Sequence, residues 1–125
     1  MSLLHTIHRA EQLGRSYLAE AIDDEITPAQ LLTLAAIDEN PGASQTALVN
    51  ATGVDRSTLA DIVRRLGKRG LATRKRTKED ARAYAVHLTA EGKQILVKAR
   101  KAIPRIEDAL IEKMPALKHL ARNGG

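Results

Sequence analysis

The segment that most restricts the fold is "SQTALVNATGVDRSTLADIVRRLGKRGL", residues 44–71. Ser44 is a good N-cap, and Gly53 stands where a short helix would close. Only "VD" separates Gly53 from a second expected helix over 55–69, with Asp55 as its N-cap and Gly70 just past its end. In that second helix Leu59, Ile62, Val63 and Leu66 recur at i, i+3, i+4 and i+7, which makes one stripe to be buried. At about 100° per residue the opposite face holds Ser57, Asp61, Arg64 and Lys68, with Ala60 and Arg65 at its margins and Arg56 near the helix start. Two helices joined by so short a Gly-containing turn have helix-turn-helix spacing.

The flanking segments add three more helices and a hairpin. "TPAQLLTLAAIDENPG" reads as a helix in which Thr27 is the N-cap, Pro28 fits the first position and Gln30 completes a Thr-x-x-Gln capping box. Leu31, Leu34, Ala35 and Ile37 give it a face to bury, and "NPG" at 40–42 stops it. Over 3–22, Leu3, Ile7, Ala10, Tyr17 and Ala21 recur at helical intervals without a Pro, and "DDEI" ends the run. After Gly70 the period changes. "LATRKR" and "YAVHLT" read as two short strands, with Leu71/Thr73 and Tyr84/Val86/Leu88 alternating against their neighbours, around the charged loop "TKEDARA". Two strands and a loop behind a helix-turn-helix make a wing. Thr89 then caps a last helical segment whose apolar residues Leu96, Ala99, Ile103, Ile106, Leu110, Met114 and Leu117 form a near-heptad seam. Pro104 is expected to kink that helix or divide it in two. The expected fold is mainly α with a small β-wing, a winged helix-turn-helix in one domain.

The core of these 125 residues must come from Leu, Ile, Val and Ala, because the chain has two Tyr and no Phe or Trp. Cys is absent, which removes disulfides, thiolate metal sites and thiol chemistry together. No signal peptide or membrane span is visible, since "MSLLHTIHRAEQLG" is broken by His and Arg within a few residues, so a soluble cytoplasmic protein is expected. The net charge of +5 is unevenly spread: residues 1–54 carry −5, residues 55–105 carry +10 and residues 106–125 carry zero. Basic charge gathered in one stretch is the footprint of a polyanion partner, and the plainer alternative is a solvated basic face.

With these motifs in place, the sequence resembles the MarR family of bacterial winged-helix transcription factors over roughly residues 5–100. The resemblance is carried by "ITPAQLLTLAAI", by "SQTALVNATGVDRSTLADIVRRLGKRGLATRKR" and by "KEDARAYAVHLTAEGKQIL", with their order of helix, turn, helix, Gly-Leu-x-x-Arg, Asp-x-Arg-Ala and Leu-Thr-x-x-Gly. It implies a homodimer on double-stranded DNA, with a DNA-binding lobe over 28–89 and dimerisation helices over 1–27 and 90–125. The helix with Arg56, Ser57, Thr58 and Arg64 matches the recognition helix, and the loop with Asp80 and Arg82 matches the wing, whose arginine enters the minor groove. Many members have Arg where Ala81 stands, which implies weaker wing binding. The C-terminal region is short, ending in "KHLARNGG", which implies a reduced or differently built dimer interface.

The residue chemistry supports the same partner independently. A major groove admits an α-helix, and Arg reads guanine there through a bidentate contact. The expected DNA-binding residues are Ser44, Gln45, Thr46, Arg56, Ser57, Thr58, Arg64, Arg65, Lys68, Arg74, Arg76, Lys78 and Arg82, with Arg65, Lys68, Arg74, Arg76 and Lys78 suited to phosphates. Asp61 either orients Arg64 or Arg65 or acts as an acceptor that rejects wrong bases, and Asp80 shapes the wing. The expected dimer interface comprises Ile7, Leu96, Ala99, Ile103, Ile106, Leu110, Met114 and Leu117. His5 and His8 are three apart, but no Cys or spaced carboxylate completes a metal site, so neither metal nor cofactor is expected. The resemblance also suggests a small aromatic or lipophilic effector. No paired carboxylates, nucleophile–base set or phosphate loop points to an enzyme. The competing reading is a winged-helix adaptor that binds an acidic protein.

Overall fold

The structure, a computed structural model, describes residues 2–22, 26–76 and 84–123. The elements in order are α1 (Leu3–Ala21), α2 (Pro28–Glu39), α3 (Gln45–Thr52), α4 (Arg56–Lys68), β1 (Ala72–Arg76), β2 (Tyr84–Leu88), α5 (Ala90–Lys113), a 3-10 turn (Pro115–Leu117) and α6 (Lys118–Asn123). The chain divides into two compact units, Ala29–Val97 and Met1–Pro28 with Lys98–Gly125. Among the described residues no helix is long and apolar enough to cross a membrane.

In the unit Ala29–Val97, Leu34, Ile37, Leu48, Leu59, Leu66 and Val86 are fully buried. Burying each such side chain contributes about 1.5–3 kcal/mol, so this small aliphatic set is what holds the helices together. The stripe of α4 is the one expected: Leu59, Ile62, Val63 and Leu66 are all buried. On α2 the buried face is Thr33, Leu34, Ala36 and Ile37, not the expected Leu31, Leu34, Ala35 and Ile37. That helix is apolar on most sides, so periodicity could not fix its orientation. Thr33 tolerates burial because its hydroxyl donates to the Ala29 carbonyl at 2.8 Å.

The end of α4 sets the phase of everything after it. Gly70 takes φ 73°, its N–H donates to the Gly67 carbonyl and the Leu71 N–H donates to the Leu66 carbonyl at 2.9 Å. This is a Schellman closure, with Leu71 and Leu66 as its apolar pair. Leu71 is thereby used up in the turn, and β1 starts at Ala72 rather than at Leu71. Ala72 is buried and Thr73 exposed, so the Leu71/Thr73 alternation expected from the sequence is corrected by one residue. β1 and β2 pair antiparallel, with Ala72 opposite Leu88, Arg74 opposite Val86 and Arg76 opposite Tyr84. The turn before α3 joins them. Gly42, at φ 78°, donates to the Val86 carbonyl and Val86 donates back to the Ala43 carbonyl, both at 3.0 Å.

Helix α5 begins on the same unit. The Thr89 N–H donates to the Leu71 carbonyl at 3.1 Å, its hydroxyl donates to the Gly70 carbonyl at 2.6 Å, and that hydroxyl oxygen accepts from the Gly92 N–H at 3.1 Å. These bonds fix the first turn of α5 to the end of α4, and Ala90–Val97 belong to the unit Ala29–Val97.

In the other unit Leu18, Ile22, Ile26, Ala99, Ala102 and Met114 are buried. Pro104 does not divide α5, which continues to Lys113. The buried Ala99 and Ala102 before it and the half-buried Ile106 after it hold both sides of the missing backbone bond in one helix. The break comes instead at Met114 (φ −136°, ψ 79°), because Pro115 disfavours helical backbone at the residue before it. Leu117 therefore sits in the 3-10 turn and not on the seam.

Gly92 explains the glycine in Leu-Thr-x-x-Gly. A Cβ at this position would overlap the Leu71 carbonyl oxygen. Gly92→Ala is expected to destabilise the protein by about 1–3 kcal/mol, the range for forcing atoms into a packed site. Urea unfolding of the variant measures this.

Candidate nucleic-acid interface

Hydrogen bonds place several side chains of the helix-turn-helix. The Ser44 hydroxyl accepts from the Ala47 N–H at 3.1 Å and caps α3. Thr52 donates to the Leu48 carbonyl at 2.8 Å and accepts from the Val54 N–H at 3.1 Å, while Gly53 (φ 73°) turns the chain. At the start of α4, Asp55 Oδ2 accepts from the Thr58 N–H at 3.1 Å and from the Ser57 hydroxyl at 2.9 Å. Arg56 Nη1 donates to Thr46 Oγ1 at 3.2 Å, which ties the first turn of α4 to the first turn of α3. Hydrogen bonds from Thr58, and then from Ser57, hold the Asp55 carboxyl below its usual pKa.

The basic face of α4 is less free than its sequence suggests. Asp61 accepts from both Arg64 Nη2 and Arg65 Nε, the latter at 2.8 Å. One carboxylate thus neutralises part of two guanidinium groups, and these arginines, Arg64 first, lower the Asp61 pKa. All three side chains remain substantially solvent-exposed, so the fork orients the arginines more than it stabilises the fold. Lys68 is exposed in the last turn.

The expected residues divide into three groups. Thr46, Arg56, Ser57, Thr58, Arg64, Arg65 and Lys68 are exposed on the helix-turn-helix, and Arg74 and Arg76 are exposed on β1. Ser44 is committed to its cap, and Gln45 is half-buried with its Oε1 buried and unpaired among the described residues. Lys78, Asp80 and Arg82 lie outside the described residues. Sequence reasoning missed Tyr84 as part of this surface. Its ring centroid lies 5.2 Å from Arg74 Cζ and 5.7 Å from Arg76 Cζ. The only signal was the strand register, which depends on how the hairpin closes.

In the unit Met1–Pro28 with Lys98–Gly125, Leu3, Leu4 and Ile7 on α1 are exposed, as is Leu120 at 75 %. Ile103, Ile106, Leu110 and Leu117 are half-buried. Leu96, Ala99 and Met114, expected at a dimer interface, are instead buried within the single chain, at 2 %, 0 % and 8 % exposure. The seam that looked like one face is split between the chain's own core and the solvent. The same unit has an open cleft of about 270 Å³ lined by Tyr17, Glu20, Ala21, Ala102, Arg105, Ile106 and Ala109.

A helix-turn-helix with a two-stranded wing and a basic outer face is the architecture of a DNA-binding transcriptional regulator. Comparison with known proteins agrees. A model of the MarR family matches residues 25–83. The transcriptional regulator HosA of Escherichia coli O157:H7 is 31 % identical over 111 residues, which cover 87 % of this chain and 82 % of HosA. A regulatory protein ascribed to the hcr operon of Thauera aromatica is 39 % identical over 80 residues, and the match spans about half of its length (48 %). The PcaV regulator of Streptomyces coelicolor, solved with its natural ligand, superposes with a TM-score of 0.81 at 27 % identity, covering 98 % of this chain and 91 % of PcaV. The repressor CouR, solved on a 23-mer DNA duplex, does so with a TM-score of 0.77 at 29 % identity, covering 98 % and 89 %. The chain belongs to the MarR family of transcriptional regulators.

The Asp55 cap carries a pH signature. A carboxyl whose folded pKa is lowered from 3.8 stabilises the fold fully above that value, and the contribution is lost as pH falls through the lowered pKa. Asp55→Ala is expected to lower the melting temperature by a few degrees at neutral pH, and the deficit should shrink at strongly acid pH. Asp55→Asn should keep most of the cap, since Asn caps about as well. Thermal melts followed by circular dichroism across pH check both.

Proposed function

We propose that this chain is a repressor that binds a pseudo-palindromic operator as a homodimer and is released by a small organic effector. The observation that carries the reading is the exposed outer face of α4, with Arg64 and Arg65 oriented by Asp61 and Arg56 held to Thr46. In this reading α4 enters the major groove, Arg56 and Arg64 contact bases, and Arg65, Lys68, Arg74, Arg76 and Lys78 contact phosphates. Arg82 enters the flanking minor groove, with Asp80 shaping the loop that presents it. The exposed Leu3, Leu4, Ile7 and Leu120, with the half-buried Ile103, Ile106, Leu110 and Leu117, supply the apolar surface for a second copy. The protein acts in the cytoplasm and has no catalytic role.

CouR bound to duplex DNA and PcaV bound to its ligand support the two halves of this reading. The open cleft lined by Tyr17, Glu20 and Arg105 is the candidate site for the effector. The test is a gel shift on the duplex upstream of the protein's own gene, at several salt concentrations and with aromatic acids added. Half-sites should lie roughly 10–10.5 bp apart, and if a dimer neutralises about eight phosphates, log K should fall against log salt with a slope of about −7. Arg64→Ala should cost about 1–3 kcal/mol at one base pair and relax specificity there. Equal weakening on all sequences would make Arg64 a phosphate contact only. An acidic-protein adaptor would leave the duplex unbound.

The dimer has its own check. Ile106→Asp together with Leu110→Asp should give monomers by sedimentation and greatly weaken operator binding. A monomeric unmodified protein at micromolar concentration would remove the dimer from the reading.

A further inference from the structure

The arginines of α4 and those of β1 are held in opposite ways. Arg64 and Arg65 donate N–H groups to Asp61, so their donors are partly used within the protein. Arg74 and Arg76 instead stand over one aromatic ring, that of Tyr84, at 5.2 and 5.7 Å from its centroid. No carboxylate among the described residues forms an ion pair with either. A guanidinium over a ring is oriented by the π face and keeps its in-plane N–H donors free.

The strand register makes this arrangement follow from the fold. Arg74 and Arg76 are two apart on β1 and share a face, and Tyr84 lies directly opposite Arg76 and diagonal to Arg74. The same face carries Ala72 and Val86, both buried, so it is anchored in the core at one end and free at the other. Two like charges gathered around one ring repel each other, and an anion placed between their donors relieves that repulsion. Bidentate guanidinium donors match a phosphate oxygen pair.

We propose that Arg74, Arg76 and Tyr84 form a preset clamp for a DNA backbone phosphodiester, in which Tyr84 is a positioning residue that holds both guanidinium groups with their donors free. The clamp rests on the DNA-binding reading and deepens it. It reads no sequence, because a phosphate is the same at every base pair. Its contribution therefore appears equally on specific and non-specific duplexes.

The test is fluorescence anisotropy of two labelled duplexes, one of mixed sequence and one from upstream of the protein's own gene, between about 50 and 200 mM salt. Tyr84→Leu should weaken both by the same factor, about fivefold, and make the salt slope shallower by about one to two. Tyr84→Phe, which keeps the ring, should restore wild-type affinity and slope. In an Arg74→Gln, Arg76→Gln background, adding Tyr84→Leu should cause no further loss. Arg74→Lys with Arg76→Lys, at exposed positions that do not threaten folding, keeps the charge but loses the planar fork, and should weaken both duplexes about threefold. Unchanged binding by Tyr84→Leu or by the lysine pair overturns the clamp, as does a Tyr84→Phe variant as weak as Tyr84→Leu or an undiminished Tyr84→Leu effect without the arginines. Wild-type protein that binds neither duplex would overturn the DNA reading and the clamp with it. Wild-type binding with unmoved variants removes the clamp alone.

Discussion

The carbonyl of Leu71 accepts the Thr89 N–H, and Gly92 packs against that same carbonyl where no Cβ has room. Four elements meet there: the end of α4, the start of β1, the end of β2 and the start of α5. Leu71 also closes the Schellman turn by donating to Leu66. The junction therefore fixes where the helix with the basic face stops, in which phase the ribbon starts, and which side of that ribbon meets the core. The shared face of Ala72, Arg74 and Arg76, and with it the place of two arginines beside Tyr84, follows from one residue being consumed in a turn.

The protein holds its basic side chains in two ways. A cation on a helix can be held by a carboxylate one turn away, as Asp61 holds Arg64 and Arg65. That arrangement fixes direction at the expense of donors, since Asp61 already accepts from both arginines. A cation over a ring is fixed without spending donors. The two devices differ in what they leave available: on α4 Asp61 occupies donors of Arg64 and Arg65, whereas among the described residues no carboxylate pairs with Arg74 or Arg76 beside Tyr84.

In the unit built from α1 and the later part of α5, the apolar residues fall into two populations. Leu18, Ile22, Ala99, Ala102 and Met114 are spent on the chain's own core. Leu3, Leu4, Ile7 and Leu120 remain in water. An N-terminal helix that leaves three large aliphatic side chains exposed within two turns is costly for a lone protomer. Heptad spacing alone did not separate the seam residues spent on the chain's own core, Leu96, Ala99 and Met114, from the half-buried Ile103, Ile106, Leu110 and Leu117.

The sequence by itself determined the helix-turn-helix. Its caps Ser44 and Asp55, its turn residues Gly53 and Gly70, and the stripe Leu59, Ile62, Val63 and Leu66 are local signals, and each is where the residues put it. The basic outer face of α4 follows from the same periodicity. Tertiary structure decided what depends on partners distant in the chain. The buried face of α2 needed its packing neighbours, because a helix apolar on most sides has no unique inward direction. The split of Leu96, Ala99 and Met114 from the rest of the seam needed the core that covers them. The grouping of Tyr84 with Arg74 and Arg76 needed the register of the ribbon, where a shift of one residue would place the ring on the opposite face from both arginines.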